Sequence, residues 1–349
     1  MRWKNRPDGA NWGDFGADDQ LGRVNLIGTE QVLKGAAEVR AGRSFCLSLP
    51  LNLPGGNLLN PRRNPPKLQP TWRDGKPMLN FPMTRVDADS VDVVSDDQVL
   101  ISLQYSTQWD SLAHVGARFD ADGDGREEMV YYNGFRADTD VRGPVRYGDD
   151  GHEHECGCDG PHLSYAHSLG IENMAQHGMQ GRGVLVDLAR RYGNERKLVG
   201  LAELQEVMEA GGIKVERGDF LVLRTGFAER LVEMGGNPDP EVLHHSCSVL
   251  NGRDDRLLQW ITDSGIAAIC ADNYAVEAYP AVAVNGRKSI LPLHHHCLFK
   301  LGIPLGELWY LHALADWLHA QGRSRFMLTA PPLRLPGAVG SPVTPIATV

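Results

Sequence analysis

The sequence predicts an α/β domain built on a mixed central sheet, and three observations predict it. Short apolar runs in the second half, Gly183–Leu188 (GVLVDL), Asp219–Arg224 (DFLVLR) and Ile266–Cys270 (IAAIC), alternate with amphipathic helical segments. A continuous apolar run fits a strand covered on both faces, and strand–helix alternation fits an α/β layer. The first half is richer in β-type runs, which makes the sheet mixed rather than wholly parallel. No internal repeat is visible, so the chain reads as one domain over 1–349 with irregular excursions at about 53–90 and 118–162.

The elements follow in order. Thr29 is placed to cap a helix over EQVLKGAAEVRAG, with Gly42 closing it. Phe45–Leu51 fits a strand. The Pro-, Gly- and Asn-rich stretch 53–90, including NPRRNPPKLQP, excludes regular structure and reads as a lid or rim. Val91–Ser106 is β-rich, with a hairpin turn expected at Ser95–Asp97. Further helices are expected at Ser168–His177, stopped by Gly178; at Ala202–Ala210, stopped by Gly211 and Gly212; from Asp254 or Asp255 to Thr262; and at Leu308–Gln321. A last strand is expected at Arg325–Ala330.

Composition narrows the function. The formal net charge is −9 with a pI near 5.8, which argues against nucleic acid and weakly against an anionic membrane as partners. No apolar run is long enough to span a bilayer, and the first residues lack the apolar segment of a secretion signal. Four of six cysteines are scattered singly, a pattern of reduced thiols and a cytoplasmic location. The partner expected is a small-molecule substrate. Thirteen histidines invite a search for metal.

Two clusters carry that chemistry. The first is Gln104-Tyr105-Ser106-Thr107-Gln108-Trp109-Asp110-Ser111-Leu112-Ala113-His114. Asp110 and His114 are spaced so that, on a helical turn, a carboxylate and an imidazole share one face. By spacing alone an Asp–His hydrogen bond that fastens a helix is the commoner outcome. The second cluster is His294-His295-His296-Cys297, followed by Gly302-Ile303-Pro304-Leu305-Gly306-Glu307. In an extended segment His295 would point opposite to His294 and His296.

Together these clusters resemble the cyclase family, which includes bacterial kynurenine formamidase and isatin hydrolase. Its motif H-x-G-T-H-x-D-x-x-x-H corresponds to QYSTQWDSLAH here, with Thr107, Asp110 and His114 in place. Its H-H-x-L-L-x-x-G-I-P-I-x-E corresponds to HHCLFKLGIPLGE, from His295 to Glu307. NWGDFGADDQLGRVNLI, GRGVLVDLA, GDFLVLRTGF, GIAAICADNYAVE and the C-terminal APPLRLPGAVGSPVTPIA extend the likeness over most of the chain. The resemblance implies a swivelling β/β/α fold, a homodimer or homotetramer, and metal ligands at Asp110, His114, His295 and Glu307. It gives Asp110 and His114 the catalytic roles, His114 as ligand or general acid/base. Gln104 and Gln108 stand where the family has histidines, and an amide oxygen is a weak zinc ligand, so one ion per subunit, Zn²⁺ or Mn²⁺, is expected. Gln104, Gln108, Thr107, His296 and Trp109 are further candidate metal or substrate contacts, although a lone Trp is more often core.

The activity implied is hydrolysis of an amide, formamide or lactam-type carbon–nitrogen bond in a small, cyclic or aromatic substrate. A dehydratase, a lactone hydrolase or a non-catalytic binder on the same scaffold is the alternative. Arg224, Thr225, Asp272, Asn273 and Glu277, at strand ends, fall near the expected rim. Asp120-Ala121-Asp122-Gly123-Asp124-Gly125 opens like a calcium loop but has Tyr131 where a bidentate Glu is needed, so it reads as an acidic turn. The His152–Asp159 run offers metal-binding side chains at a spacing that matches no structural zinc pattern.

Overall fold

The apolar runs of the second half form the parallel centre of a large mixed sheet. The computed structural model describes residues 2–148, 152–155 and 164–349. Among them, nine strands make one sheet: β1 (Ser44–Cys46), β2 (Gln108–Asp110), β3 (Gln180–Asp187), β4 (Phe220–Arg224), β5 (Ala268–Ala271), β6 (Leu305–Glu307), β7 (Arg325–Thr329), β8 (Gly340–Pro342) and β9 (Ile346–Thr348). Their spatial order is β1-β9-β7-β3-β4-β5-β6-β2-β8. The pairs β3–β4, β4–β5 and β5–β6 are parallel, and every other neighbouring pair is antiparallel.

Side-chain alternation explains why the central strands are apolar throughout. Val186, Leu221, Leu223, Ile269 and Ala271 point into one buried cluster, and Leu185, Phe220, Val222, Ala268 and Cys270 into another. Helices α1 (Thr29–Ala36), α2 (Glu172–His177), α3 (Leu188–Tyr192), α4 (Leu201–Ala210), α5 (Phe227–Glu233), α6 (Pro240–His244) and α7 (Asp255–Ser264) precede a short α8 (Pro292–His294). The latter runs on as a π-helix, His295–Leu301, and α9 (His312–Ala320) follows. Leu204 and Val207 of α4 and Leu257 and Ile261 of α7 cover the first face, while Leu314, Ala315 and Leu318 of α9 cover the second. Among the described residues no helix is long and apolar enough to cross a membrane.

Most expected elements lie within a few residues of their predicted bounds, and the differences have local causes. The first helix ends at Ala36 and is capped at Gly28, where the Gln31 side chain accepts the cap amide at 3.1 Å. The last helix starts only at His312, because Leu305–Glu307 extends the sheet and Leu308 takes a left-handed backbone (φ 56°). The segment 53–90 is not devoid of regular structure. Lys67–Pro70 pairs with Asp97–Leu100, Phe81–Pro82 with Val93–Val94, and Trp72–Arg73 with Lys76–Pro77. The hairpin expected inside 91–106 is therefore replaced by pairing back onto this arm, a long-range choice that no local pattern encodes. Tyr105 fastens the arm's base: its hydroxyl accepts from the Gly55 amide at 3.0 Å and donates to the Gly56 carbonyl at 2.7 Å.

A candidate metal centre on strands β2 and β6

Strand β2 places Gln108 and Asp110 on one face of the sheet and Trp109 on the other. Antiparallel β6 sets Glu307 directly opposite Gln108. Two carboxylates and an amide are thereby gathered on one buried patch. This corrects the helical-turn reading of Asp110, which is a strand residue. The polar 108–110 register is stable because Trp109 anchors the reverse face, fully buried, edge-on to Trp309 at 5.3 Å, with its indole N–H donating to the Ala330 carbonyl at 2.8 Å. Trp109 is thus a core residue and not a wall of the site.

The imidazole comes from α8. Pro292 sits in the first turn, where a missing N–H and a fixed φ favour helix. The buried Glu277 carboxylate accepts the Leu293 and His294 amides, both at 2.9 Å, and the Nδ1 of His294 at 2.8 Å. It thereby caps the helix and fixes the ring. His294 Nε2 then lies 3.4 Å from Glu307 Oε1. One ligand atom each from Asp110, His294 and Glu307 falls within 4.8 Å of the others. Gly252 packs over the Glu277 carboxylate, where a Cβ would collide with it.

His294 therefore occupies the place expected for His295. The extended-strand geometry assumed for the triple histidine is wrong. On a helix, successive residues rotate by about 100°, so the three rings diverge. His295 lies against Phe299, ring centres 4.9 Å apart, and burial with the nearby Lys300 charge lowers its pKa to about 4. His296 shares a 2.9 Å hydrogen bond with the Thr262 hydroxyl. Pro292 was the available signal, since proline one residue before the first leucine of PLHHH marks a helix start.

The remaining candidates separate into near and far. Gln108 Nε2 donates to Asp110 Oδ1 and to Glu307 Oε2, each at 3.3 Å. Its Oε1 and the Asp110 Oδ2 are buried without a hydrogen-bond partner. His114 does not join the tight cluster; its Nε2 stands 3.8 Å from Asp110 Oδ1 on the turn after β2, partly open to solvent. Gln104 fills the space beside Gly340, the residue paired with Asp110 across β8, and its carbonyl accepts from Arg63 Nη1 at 2.8 Å. Thr107 is a structural clasp: its hydroxyl accepts the Leu49 amide at 2.9 Å and donates to the Leu308 carbonyl. Of the expected rim residues only Glu277 contacts the cluster. Asp272 accepts from the Thr225 and Gly226 amides, Asn273 donates to the Ser248 carbonyl, and Arg224 pairs with Asp187 and Glu229.

The electrostatics follow from burying two acids beside one base. Burial pushes the Asp110 carboxyl above its ordinary range, and the Glu307 charge adds to that, against opposition from His114 and His294. Burial acts upward on Glu307 too, but the hydrogen bond and charge of His294, with Arg63, hold it below the usual value. Burial alone would lower His294, yet hydrogen bonds to Glu277 and Glu307 carry it to about 10. Arg63, Tyr105, Tyr274 and Leu308 line a small cavity under the arm. Burial and the Glu307 charge raise the Tyr274 pKa to about 12, so its hydroxyl stays a neutral donor.

These observations fit a divalent cation. Convergent carboxylates, an imidazole whose far nitrogen is held by a carboxylate, and two orphaned buried oxygens form a mixed O/N donor set. Glu277→Gln is expected to lower cation affinity about 10- to 100-fold while the fold persists, as loss of an outer partner does; titration calorimetry with Zn²⁺ measures it, and an unchanged affinity would remove Glu277 from the centre. Elsewhere, Asp120, Asp122 and Asp124 also approach one another, but the Asp120 carboxylate accepts the Gly123, Asp124 and Gly125 amides, a self-satisfied turn as expected. Of the His152–Asp159 run, Cys156, Cys158 and Asp159 lie outside the described residues.

Fold and site together define a mixed-sheet α/β protein with a candidate metal centre at one sheet end. The chain belongs to the Cyclase family, whose model matches residues 47–278. A solved structure described as a novel cyclase is 31% identical, with 97% of each chain covered and a TM-score of 0.72. Isatin hydrolase A from Ralstonia solanacearum shares the fold at 14% identity, covering 87% of this chain and 91% of its own, with a TM-score of 0.53. An isatin hydrolase bound to the product analogue thioisatinate does so at 14% identity, 93% and 99% coverage and a TM-score of 0.53. No curated protein matches the sequence.

Proposed function

We propose that the protein is a metal-dependent hydrolase that opens an amide, formamide or lactam-type carbon–nitrogen bond of a small cyclic or aromatic substrate. The observation that carries this reading is the buried convergence of Asp110, Glu307 and His294, with unpartnered oxygens on Asp110 and Gln108. Asp110, Glu307 and His294 would hold one Zn²⁺ or Mn²⁺, with the Gln108 amide oxygen as a weaker fourth donor. When bound, such an ion polarises a carbonyl and makes water a better nucleophile at neutral pH.

The chain's own residues supply the rest. His114, beside Asp110 and partly open, would take the water's proton and return it to the leaving nitrogen. Tyr274 and Arg63, which line the cavity under the arm and act electrostatically with Glu307, would offer an aromatic wall and a cation. The fold shared with isatin hydrolases supports a cyclic amide as substrate. The isolated thiols support a cytoplasmic location. Exposed Leu68, Trp72, Val91 and Leu100 on the arm support assembly into a homodimer or homotetramer.

The test is turnover of isatin, N-formylkynurenine and a simple lactone by metal-loaded protein, with Asp110→Ala as control. Hydrolysis of a carbon–nitrogen substrate, lost in the variant, is expected. Lactone turnover alone, or equal metal in wild type and variant, would overturn the reading. Cation binding should also release protons. Hydrogen bonds to Glu277 and Glu307 raise the His294 pKa to about 10 in the free protein, and burial moves the Asp110 carboxyl upward. The His294 imidazolium must lose its proton on loading, so affinity rises with pH. Calorimetry in two buffers of different ionisation enthalpy measures the release, and a buffer-independent enthalpy would contradict it.

A further inference from the structure

A second concavity lies at the carboxyl end of β3, built from residues that play no part in the metal centre. Its volume is about 440 Å³, within the range of small-molecule pockets. Position explains its existence. Strand β3 has parallel β4 on one side and antiparallel β7 on the other, so the sheet changes direction there. Helix α4 covers one face and α9 the other, and the last turn of each reaches the crevice, through Ala210 and His319. Crevices outside the carboxyl ends of parallel strands are where open α/β sheets take ligands.

The lining has a distinct chemistry. Arg190, Arg191 and Arg323 contribute three guanidinium groups, and His319 an imidazole. The single lining carboxylate, Asp187, is already neutralised. It accepts the Arg190 amide at 2.8 Å, Arg224 Nη1 at 2.9 Å and His319 Nε2 at 2.8 Å. Arg191 pairs with Glu206 and Arg323 with Glu38, while the Arg190 guanidinium has no hydrogen-bond or ion-pair partner among the described residues. The apolar part of the lining is Leu185, Val207 and Ile213. An unpaired planar cation in a crevice with an aliphatic lining favours an anion with an apolar body, and a guanidinium fork matches a carboxylate with two hydrogen bonds.

We propose that this crevice binds a small organic carboxylate, with Arg190 as its principal anchor. A phosphate lacking an apolar body would leave the aliphatic lining unused, and a neutral amide would leave Arg190 unpaired.

Titration calorimetry of the full chain with benzoate, benzamide and inorganic phosphate tests this. Benzoate is expected to bind, benzamide to bind at least 10-fold more weakly, and phosphate not to displace benzoate. Arg190→Ala, at an exposed position where folding is not at risk, should weaken benzoate at least 10-fold. Asp110→Ala should leave benzoate binding unchanged, which separates this site from the metal centre and keeps its fate independent of the hydrolase reading. Absence of benzoate binding, its loss in Asp110→Ala with retention in Arg190→Ala, or displacement by phosphate at equal concentration would each overturn the proposal.

Discussion

His294→Ala should yield folded protein that retains almost no divalent metal, whereas His295→Ala should retain wild-type metal. The contrast is large because the two neighbours live in different environments. His294 is buried between Glu277 and Glu307, and its removal deletes a ligand and leaves two acids facing each other. The loss of cation affinity should exceed the ~10- to 100-fold that outer partners alone cost, and turnover should fall with it. His295 touches Phe299 and lies near Lys300, so its replacement costs packing only. Metal content by mass spectrometry after desalting, with melting temperature as the folding control, checks both. Equal metal in His294→Ala and wild type would dissolve the centre as described, and metal loss in His295→Ala alone would restore the sequence-based assignment.

The second large effect is on stability. Trp109→Ala should destabilise the protein by about 3–5 kcal/mol, the usual cost of deleting a buried aromatic. It removes the edge-on contact with Trp309 and the hydrogen bond to the Ala330 carbonyl. Because Trp109 sits between Gln108 and Asp110, the site register should loosen as well. Denaturant unfolding measures the change. Trp109→Phe, which keeps most of the aromatic surface, should lose less. A Trp109→Ala protein of wild-type stability, with substrate affinity changed instead, would return this side chain to the pocket wall.

The sheet's centre was legible in the sequence because burial on both faces forces near-continuous apolar runs, and β3, β4 and β5 carry that signature without help from distant residues. Asp110 and Glu307 were legible through the resemblance of their motifs to those of the cyclase family. The arm's pairing was not, since Asp97–Leu100 finds its partner at Lys67–Pro70 rather than across the nearest turn. Nor was the role of Glu277, which is defined only by the helix it caps 16 residues later.

The sequence by itself therefore determined the α/β core and the kind of side chain at the centre, because burial patterning and residue chemistry are local properties. Tertiary structure alone decided which histidine reaches the carboxylates, that Trp109 faces the core, and that Gln108 bridges two acids. Those choices depend on the direction a side chain leaves its backbone. That direction changes with one residue of helix or strand register, and the register is set by partners hundreds of positions away.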